Sequence, residues 1–420
     1  MNIRNIIKDD CMKFILFITL LISFNSLASD YIVKVKTGAK LNTKSNLIRL
    51  NTSFGDFYKL SGDQKSDLKN LKNDPAVLYI EPNYTYQISP IEVSQKSTEP
   101  SFDKQWGLLN TGANSGGYFS AGIAGRDINA VNAWKITTGS DEVKIAVIDT
   151  GVDFTHPDLK NNIWVNEAEQ NGKAGVDDDN NGYVDDIHGY DFANKDGNPI
   201  DDHGHGTHCA GIIGASHNGI GVAGVMSNVK IVALKFLTGS GSGTTEDAIL
   251  AIDYAIKAGV DVMSNSWGGG DESLALKDAI LAANEAGIFF VAAAGNESNN
   301  NDTTASFPAN YKIDNVISVG SMDGRGKRSS FSNYGANSVH VFAPGSNIYS
   351  TFKSNSYKSL SGTSMACPFV SGILGLLKSH DSYLSILEGK ERLINNSVSS
   401  TDLQSSVAKG WVDAFKALNN

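Results

Sequence analysis

Four short segments carry residue types from which a site for nucleophilic chemistry can be assembled. Asp149-Thr150-Gly151 follows an apolar run, and a carboxylate straight after a buried strand is costly unless it has a partner. Asp202-His203-Gly204-His205-Gly206-Thr207-His208-Cys209-Ala210-Gly211 opens a small apolar stretch that continues to Ile213, so His205 is expected near a helix start. Ala294-Gly295-Asn296 puts a side-chain amide after another apolar run. Ser361-Gly362-Thr363-Ser364-Met365-Ala366-Cys367-Pro368 precedes the apolar, Gly-containing stretch Phe369–Leu377. Pro is tolerated in the first turn of a helix, so Ser364 is expected at the helix N-terminus. A serine hydroxyl is weak at neutral pH and needs a base, which a histidine can supply.

A second set of residues suits a hard cation. Asp177 to Asp202 holds nine Asp and one Lys. Asp177, Asp179 and Asn181 fill positions 1, 3 and 5 of a calcium loop, Gly182 supplies the turn at 6, and the Tyr183 carbonyl serves at 7. Position 12 is His188, so Asp185 or Asp186 must close a shorter loop, and Asp186 is favoured. Clustered carboxylates repel one another, and a bound cation relieves this; a solvated loop without metal is the alternative. His203, His205 and His208 also have ligand-like spacing, but no fourth ligand is evident.

These residues need elements to position them. Apolar runs at Val143–Ile148, Lys230–Leu237, Val260–Met263, Ile288–Ala294 and Val316–Val319 read as buried strands. Between them, Thr244–Ala258 and Ser273–Ala286 have helical period, and Gly259 and Gly287 close them. Strands alternating with capped helices predict an α/β fold, a mostly parallel sheet with helices on both faces. Ligands of such sheets bind beyond the carboxyl ends of the strands, where Asp149 and Asn296 fall.

The rest of the chain divides in two. Lys13, the apolar run Phe14–Phe24 and Ser26-Leu27-Ala28 form a secretory signal pattern, too short to span a membrane. An exported protein is therefore expected, without a membrane anchor. Residues 29–100 hold predicted strands at Tyr31–Lys36 and Val77–Ile80, a short helix at Ser66–Leu71 and a linker at Ile88–Phe102, so they form a small α+β unit. Of 420 residues, 41% are hydrophobic, enough for a large core. Three cysteines exclude a disulfide-stapled scaffold. The net charge of −10 argues against nucleic acid as a partner. By segment it is +1 over residues 1–28 (3 basic, 2 acidic), +2 over 29–100 (10 and 8) and −13 over 101–420 (22 and 35).

The motifs Asp-Thr-Gly, His-Gly-Thr-His, Ala-Gly-Asn and Gly-Thr-Ser-Met-Ala-x-Pro, in that order, resemble those of the subtilisin-like serine proteases (peptidase S8). The likeness spans about residues 103–420, and segment 30–88 resembles the family's inhibitor-type propeptide. The resemblance implies roles: Ser364 as nucleophile, His205 as base, Asp149 as its orienting partner and Asn296 as an oxyanion donor beside the Ser364 N–H. Ser266-Trp267-Gly268 and Ala293-Ala294-Gly295 match the family's specificity pocket, although Trp267 also suits plain core. Gly241-Ser242-Gly243 matches the edge strand that pairs with an extended peptide. Glu297 would add some tolerance for basic side chains there, and Phe307-Pro308 falls where the family has a cis proline. Asp158 and Asn218, with the carbonyls of Ser216, Ile220 and Val222, match a second calcium site. Cys209 and Cys367 match interior positions, as free thiols or as a bridged pair.

The function so implied is a secreted, calcium-stabilised serine endopeptidase made as a self-processing precursor. It would be a monomer acting on proteins or peptides, inhibited by its own propeptide, and broad in specificity with large apolar residues before the cut. A narrow-specificity processing protease, or an inactive binding protein on the same scaffold, are the alternatives.

Overall fold

The computed structural model describes residues 30–82 with short gaps, then 99–113, 121–269 and 272–419. The signal pattern and most of the linker lie outside the described residues. The chain divides into two compact units, residues 1–93 and 94–420.

The first unit holds β1 (Asp30–Val35), β2 (Leu47–Leu50), β3 (Asp56–Ser61), α1 (Leu68–Lys72) and β4 (Val77–Pro82). Its strands pair antiparallel in the order β2-β3-β1-β4. Alternate residues Val33 and Val35 point to one face and bury there with Leu60 and Leu71.

The second unit opens with α2 (Ala130–Ala133), β5 (Gly139–Asp149), α3 (Glu167–Gln170), β6 (Gly189–Asp191), α4 (His205–Gly214) and β7 (Asn228–Lys235). It continues with α5 (Thr245–Lys257), β8 (Val262–Asn265), α6 (Leu274–Glu285), β9 (Phe289–Ala293) and β10 (Val316–Met322). Last come β11 (Val341–Pro344), β12 (Ile348–Phe352), β13 (Ser356–Leu360), α7 (Thr363–His380), α8 (Ile386–Asn395), β14 (Val398–Ser399), β15 (Gly410–Trp411) and α9 (Ala414–Leu418). Nine strands form one sheet in the order β14-β15-β11-β10-β9-β8-β5-β7-β6, parallel except for the β14–β15 pair.

Both faces of the sheet are covered, and the strand period shows why. Ile145 and Val147 join one core with α4 and α7, while Ala146 and Ile148 join the other with α5 and α6. Phe289 and Val291 face the first core, Phe290 and Ala292 the second. A fully buried Leu, Ile or Phe contributes about 1.5–3 kcal/mol. The caps follow the sequence: Thr244 accepts from the Asp247 N–H at 3.1 Å and Ser273 from the Leu276 N–H at 3.2 Å. β5 lies between β7 and β8, so the chain reverses its winding direction there. A crevice opens at such a point, beyond the strand ends.

Candidate active site

Asp149 ends β5 and is fully buried. His205 is the first residue of α4, and its Nδ1 donates to Asp149 Oδ1 at 2.8 Å. That proton fixes the neutral tautomer and leaves Nε2 as the acceptor. The same Oδ1 accepts the Thr150 N–H at 2.7 Å. Burial opposes the charged ring, but Asp149's charge and hydrogen bond outweigh it, so the His205 pKa lies above its ordinary value.

Two glycines let α4 reach the strand. A Cβ at Gly206 would overlap the Gly151 carbonyl oxygen, and one at Gly204 (φ +105°) would overlap the Phe352 ring. Asp201 holds the helix start. Its carboxylate accepts the N–H groups of His203, Gly204 and Thr207 and the hydroxyls of Thr150 and Thr207, at 2.6–3.0 Å. Sequence reasoning missed this residue because it sits among nine similar aspartates; its position four residues before His205 was the available signal. His208 is buried, with Nε2 3.0 Å from the carbonyls of both Ile348 and Lys358, and burial pushes its pKa down to about 3. It ties α4 to the β12–β13 hairpin and is not grouped with His203 and His205 around a common point.

Ser364 is the second residue of α7, as expected, but Pro368 is the sixth. Pro368 therefore lies in the second turn, not the first. A proline there has no N–H to give the carbonyl four residues back. The Ser364 carbonyl takes other donors instead, the Ser266 hydroxyl at 2.8 Å and the Cys209 thiol at 3.4 Å. The Ser364 hydroxyl in turn donates to the Ser266 carbonyl at 2.9 Å. It must rotate from that carbonyl to engage His205 Nε2. The Ser364 N–H, in the first turn of α7, has no acceptor within the helix.

Asn296 Oδ1 accepts the Thr363 N–H at 2.8 Å and the Thr363 hydroxyl at 3.1 Å. With its oxygen held there, the amide Nδ2 must face the other way. Asn296, Ser364, His203 and His205 share one open cavity of about 670 Å³.

The same cavity is lined by Gly241, Ser242, Gly243, Ser266, Trp267, Gly268 and Phe307. Trp267 serves in both expected ways, since its ring also packs 4.8 Å from Phe236. The peptide bond Phe307–Pro308 is cis. The fold places three further sets of expected residues. Thr238–Gly241 forms a turn, the Gly241 N–H donating to the Thr238 carbonyl at 2.8 Å, and Ser242 and Gly243 continue from it outside any named strand. Ala293 and Ala294 are not among the residues lining this cavity, and half-buried Gly295 leads into Asn296, which is. The two alanines are core, and Asn301 and Asn333 donate to the Ala294 carbonyl. Glu297 turns away from the cavity to accept from Asn333 Nδ2 at 2.9 Å.

In the acidic loop, Asp177 accepts the N–H groups of Asn181 and Gly182, and Asp179 accepts the Asn181 N–H. Asn181 Oδ1 accepts the Tyr183 N–H. Among the described residues, the carboxylates that approach one another closely enough to share an ion here are Asp177, Asp179 and Glu169. Glu169 comes from α3, eight residues ahead of the loop, where loop spacing could not reveal it. Asp186 is outside that group of three but lies beside Asp179, the two sharing the Asn166 and Asn181 side-chain amides. It is fully buried, and it accepts from Tyr254 Oη at 2.5 Å, Asn181 Nδ2 at 2.8 Å and Asn166 Nδ2 at 3.0 Å. Burial raises its pKa despite these bonds.

At the second expected site, Asp158 Oδ2 accepts the Val222 N–H at 2.9 Å and the Tyr357 hydroxyl at 3.0 Å. Among the described residues, Asp158 Oδ1 and the Ser216 hydroxyl are buried without a hydrogen-bond partner, so oxygens there suit a cation. Asn218 Oδ1 is turned to the Ile220 N–H at 3.0 Å. Cys209 and Cys367 are free and buried, and burial raises both thiol pKa values, that of Cys367 to about 11.

A buried carboxylate, an imidazole and a serine at the carboxyl edge of a doubly covered parallel sheet define an acyl-transfer type of site. The chain belongs to the subtilase family, whose profile matches residues 140–412. It is 40% identical to thermitase of Thermoactinomyces vulgaris over 303 residues, covering 72% of this chain and 97% of that protein. It is 37% identical to subtilisin-like protease 1 of Plasmodium berghei over 305 residues, 68% of this chain, and spans about half (51%) of that relative's length. The crystal structure of a cold adapted subtilisin-like serine proteinase matches 73% of this chain and 96% of its own, with 31% identity and a TM-score of 0.53. Among the described residues, no helix is long and apolar enough to cross a membrane.

Proposed function

We propose that this protein is a secreted serine endopeptidase that hydrolyses peptide bonds through an acyl-enzyme. The observation that carries the reading is the convergence of the Asp149–His205 pair, Ser364 and Asn296, the last three on one cavity. Ser364 attacks the scissile carbonyl as His205 Nε2 takes its proton, and His205 then protonates the leaving amine. Asp149 stabilises the imidazolium. Asn296 Nδ2 and the Ser364 N–H at the start of α7 meet the developing oxyanion. Asn296→Ala is expected to lower kcat by about 10²–10³-fold with KM little changed, a magnitude established on another subtilase and carried over. Steady-state kinetics on a peptide amide check it, and an unchanged kcat would remove Asn296 from the site.

The open wall Gly241–Gly243 suits a substrate bound as an extended chain, which gives broad sequence tolerance. Trp267 and Phe307 favour large apolar residues before the cut. Residues 29 to about 100 act as a folding aid and inhibitor that the enzyme then removes.

Calcium is the structural ion. Asp177, Asp179 and Glu169 would hold one, and Asp158 a second; the ion neutralises carboxylates that otherwise repel. Binding at 100 times Kd stabilises by about 2.7 kcal/mol. Chelation should therefore lower the thermal midpoint by roughly 4 °C for each ion lost, at about 1.5 °C per kcal/mol for a unit of this size. An unchanged midpoint after prolonged chelation would show that calcium does not stabilise the fold.

A further inference from the structure

Lys235 is the last residue of β7, and its side chain is only 1% exposed. Its ammonium donates to the Asp202 carboxylate at 2.7 Å, the Leu237 carbonyl at 2.8 Å and the Thr150 carbonyl at 2.9 Å. Three donors meet three acceptors, so the cation is fully satisfied. Burying it is still expensive, because its one charged partner is 51% exposed and solvent weakens that pair. An apolar residue would fill the same end of the strand more cheaply.

The three acceptors share a location. Thr150 follows Asp149. Asp202 lies three residues before His205 and follows Asp201, which holds the start of α4. Leu237 belongs to the cavity wall, with Phe236 before it and Ser240–Gly243 after it. The wall is already hooked to the catalytic strand, since the N–H groups of Phe236 and Leu237 both donate to the Asp149 carbonyl at 3.1 Å. The ammonium closes the clamp just beyond that point.

We infer that Lys235 is a positioning residue that locks the cavity wall at Leu237 to the Asp149 strand end and to the segment leading into His205. A peptide laid along the wall is thereby held in register with the reacting groups. The inference rests on the endopeptidase reading. It concerns the extended part of the substrate, so longer substrates should depend on Lys235 more than short ones. Arginine cannot replace it, because a planar guanidinium cannot direct donors to three acceptors arranged around a tetrahedral nitrogen.

The test compares processed wild type, Lys235→Met and Lys235→Arg on two ester substrates, one with a single residue before the cut and one with four. The ratio of kcat/KM values, long over short, reads the use of the wall, and circular dichroism gives the thermal midpoint. Both variants should lose about 10-fold of that ratio, since small misplacements cost that much or more. A ratio equal to that of wild type, with only the midpoint lowered, would overturn the inference and leave Lys235 a purely structural residue. If Lys235→Met fails to mature, Lys235→Arg decides by the same ratio. A wild type that cleaves neither substrate overturns the endopeptidase reading, and this inference with it.

Discussion

Ser364→Ala is expected to leave the precursor at full length and inactive on casein. The loss in kcat should approach a million-fold, a magnitude established on another subtilase and carried over to this chain. The substitution removes one hydroxyl whose hydrogen bond goes to the Ser266 carbonyl. Losing such a bond costs about 1 kcal/mol, so the fold should persist. The Ser364 carbonyl keeps its bonds from Ser266 and Cys209, and α7 keeps its start. Loss of processing with an intact far-ultraviolet circular dichroism spectrum would therefore report chemistry and not unfolding. Self-processing at the wild-type rate would sink the mechanism. N-terminal sequencing of the wild-type product fixes where the propeptide ends.

Asp149→Asn carries the second largest expected effect, about 10⁴-fold in kcat. Asp149 Oδ1 accepts from both His205 Nδ1 and the Thr150 N–H, while its buried Oδ2 has no hydrogen-bond partner among the described residues. An asparagine oxygen placed at Oδ1 would keep both bonds but put an unpaired NH₂ at the buried Oδ2 position. The opposite placement turns the NH₂ toward His205 and selects the wrong tautomer. Either way the negative charge that stabilises the imidazolium is gone. The pH profile provides a second reading. His205 must be neutral to accept a proton, so activity falls as pH drops through its raised pKa. The two largest raising causes both come from Asp149, whereas burial lowers the pKa and remains. The acid limb of kcat/KM should therefore move to lower pH in the variant, and a limb that stays in place would separate it from the Asp149–His205 pair.

Part of this molecule is written in local sequence. Strands such as Val143–Ile148 and the helices Thr244–Ala258 and Ser273–Ala286 are written in local hydrophobic period and in caps, and β5, α5 and α6 follow them closely. The acidic loop shows the opposite case. Its alternating oxygens were visible, but Glu169, the carboxylate that lies with Asp177 and Asp179, was not. Asp186 is drawn inward by Tyr254 of α5, and Glu169 arrives from α3. Both facts depend on which elements pack together. Pro368 sits one turn later than its local sequence implies, since the carbonyl left by its missing N–H is met by Ser266, just past the end of β8.

The sequence by itself determined the residue types, their order and the family. Asp149, His205, Asn296 and Ser364 sit in short motifs whose neighbours, small glycines above all, are dictated by local backbone geometry. Only the tertiary structure decided what holds them. Asp201 against Thr150, Thr363 against Asn296 and Lys235 against Thr150 and Asp202 act through hydrogen bonds between parts of the chain far apart in sequence. Such bonds leave no period or spacing to read, because a buried polar group's partner is chosen by whatever the fold brings within about 3 Å.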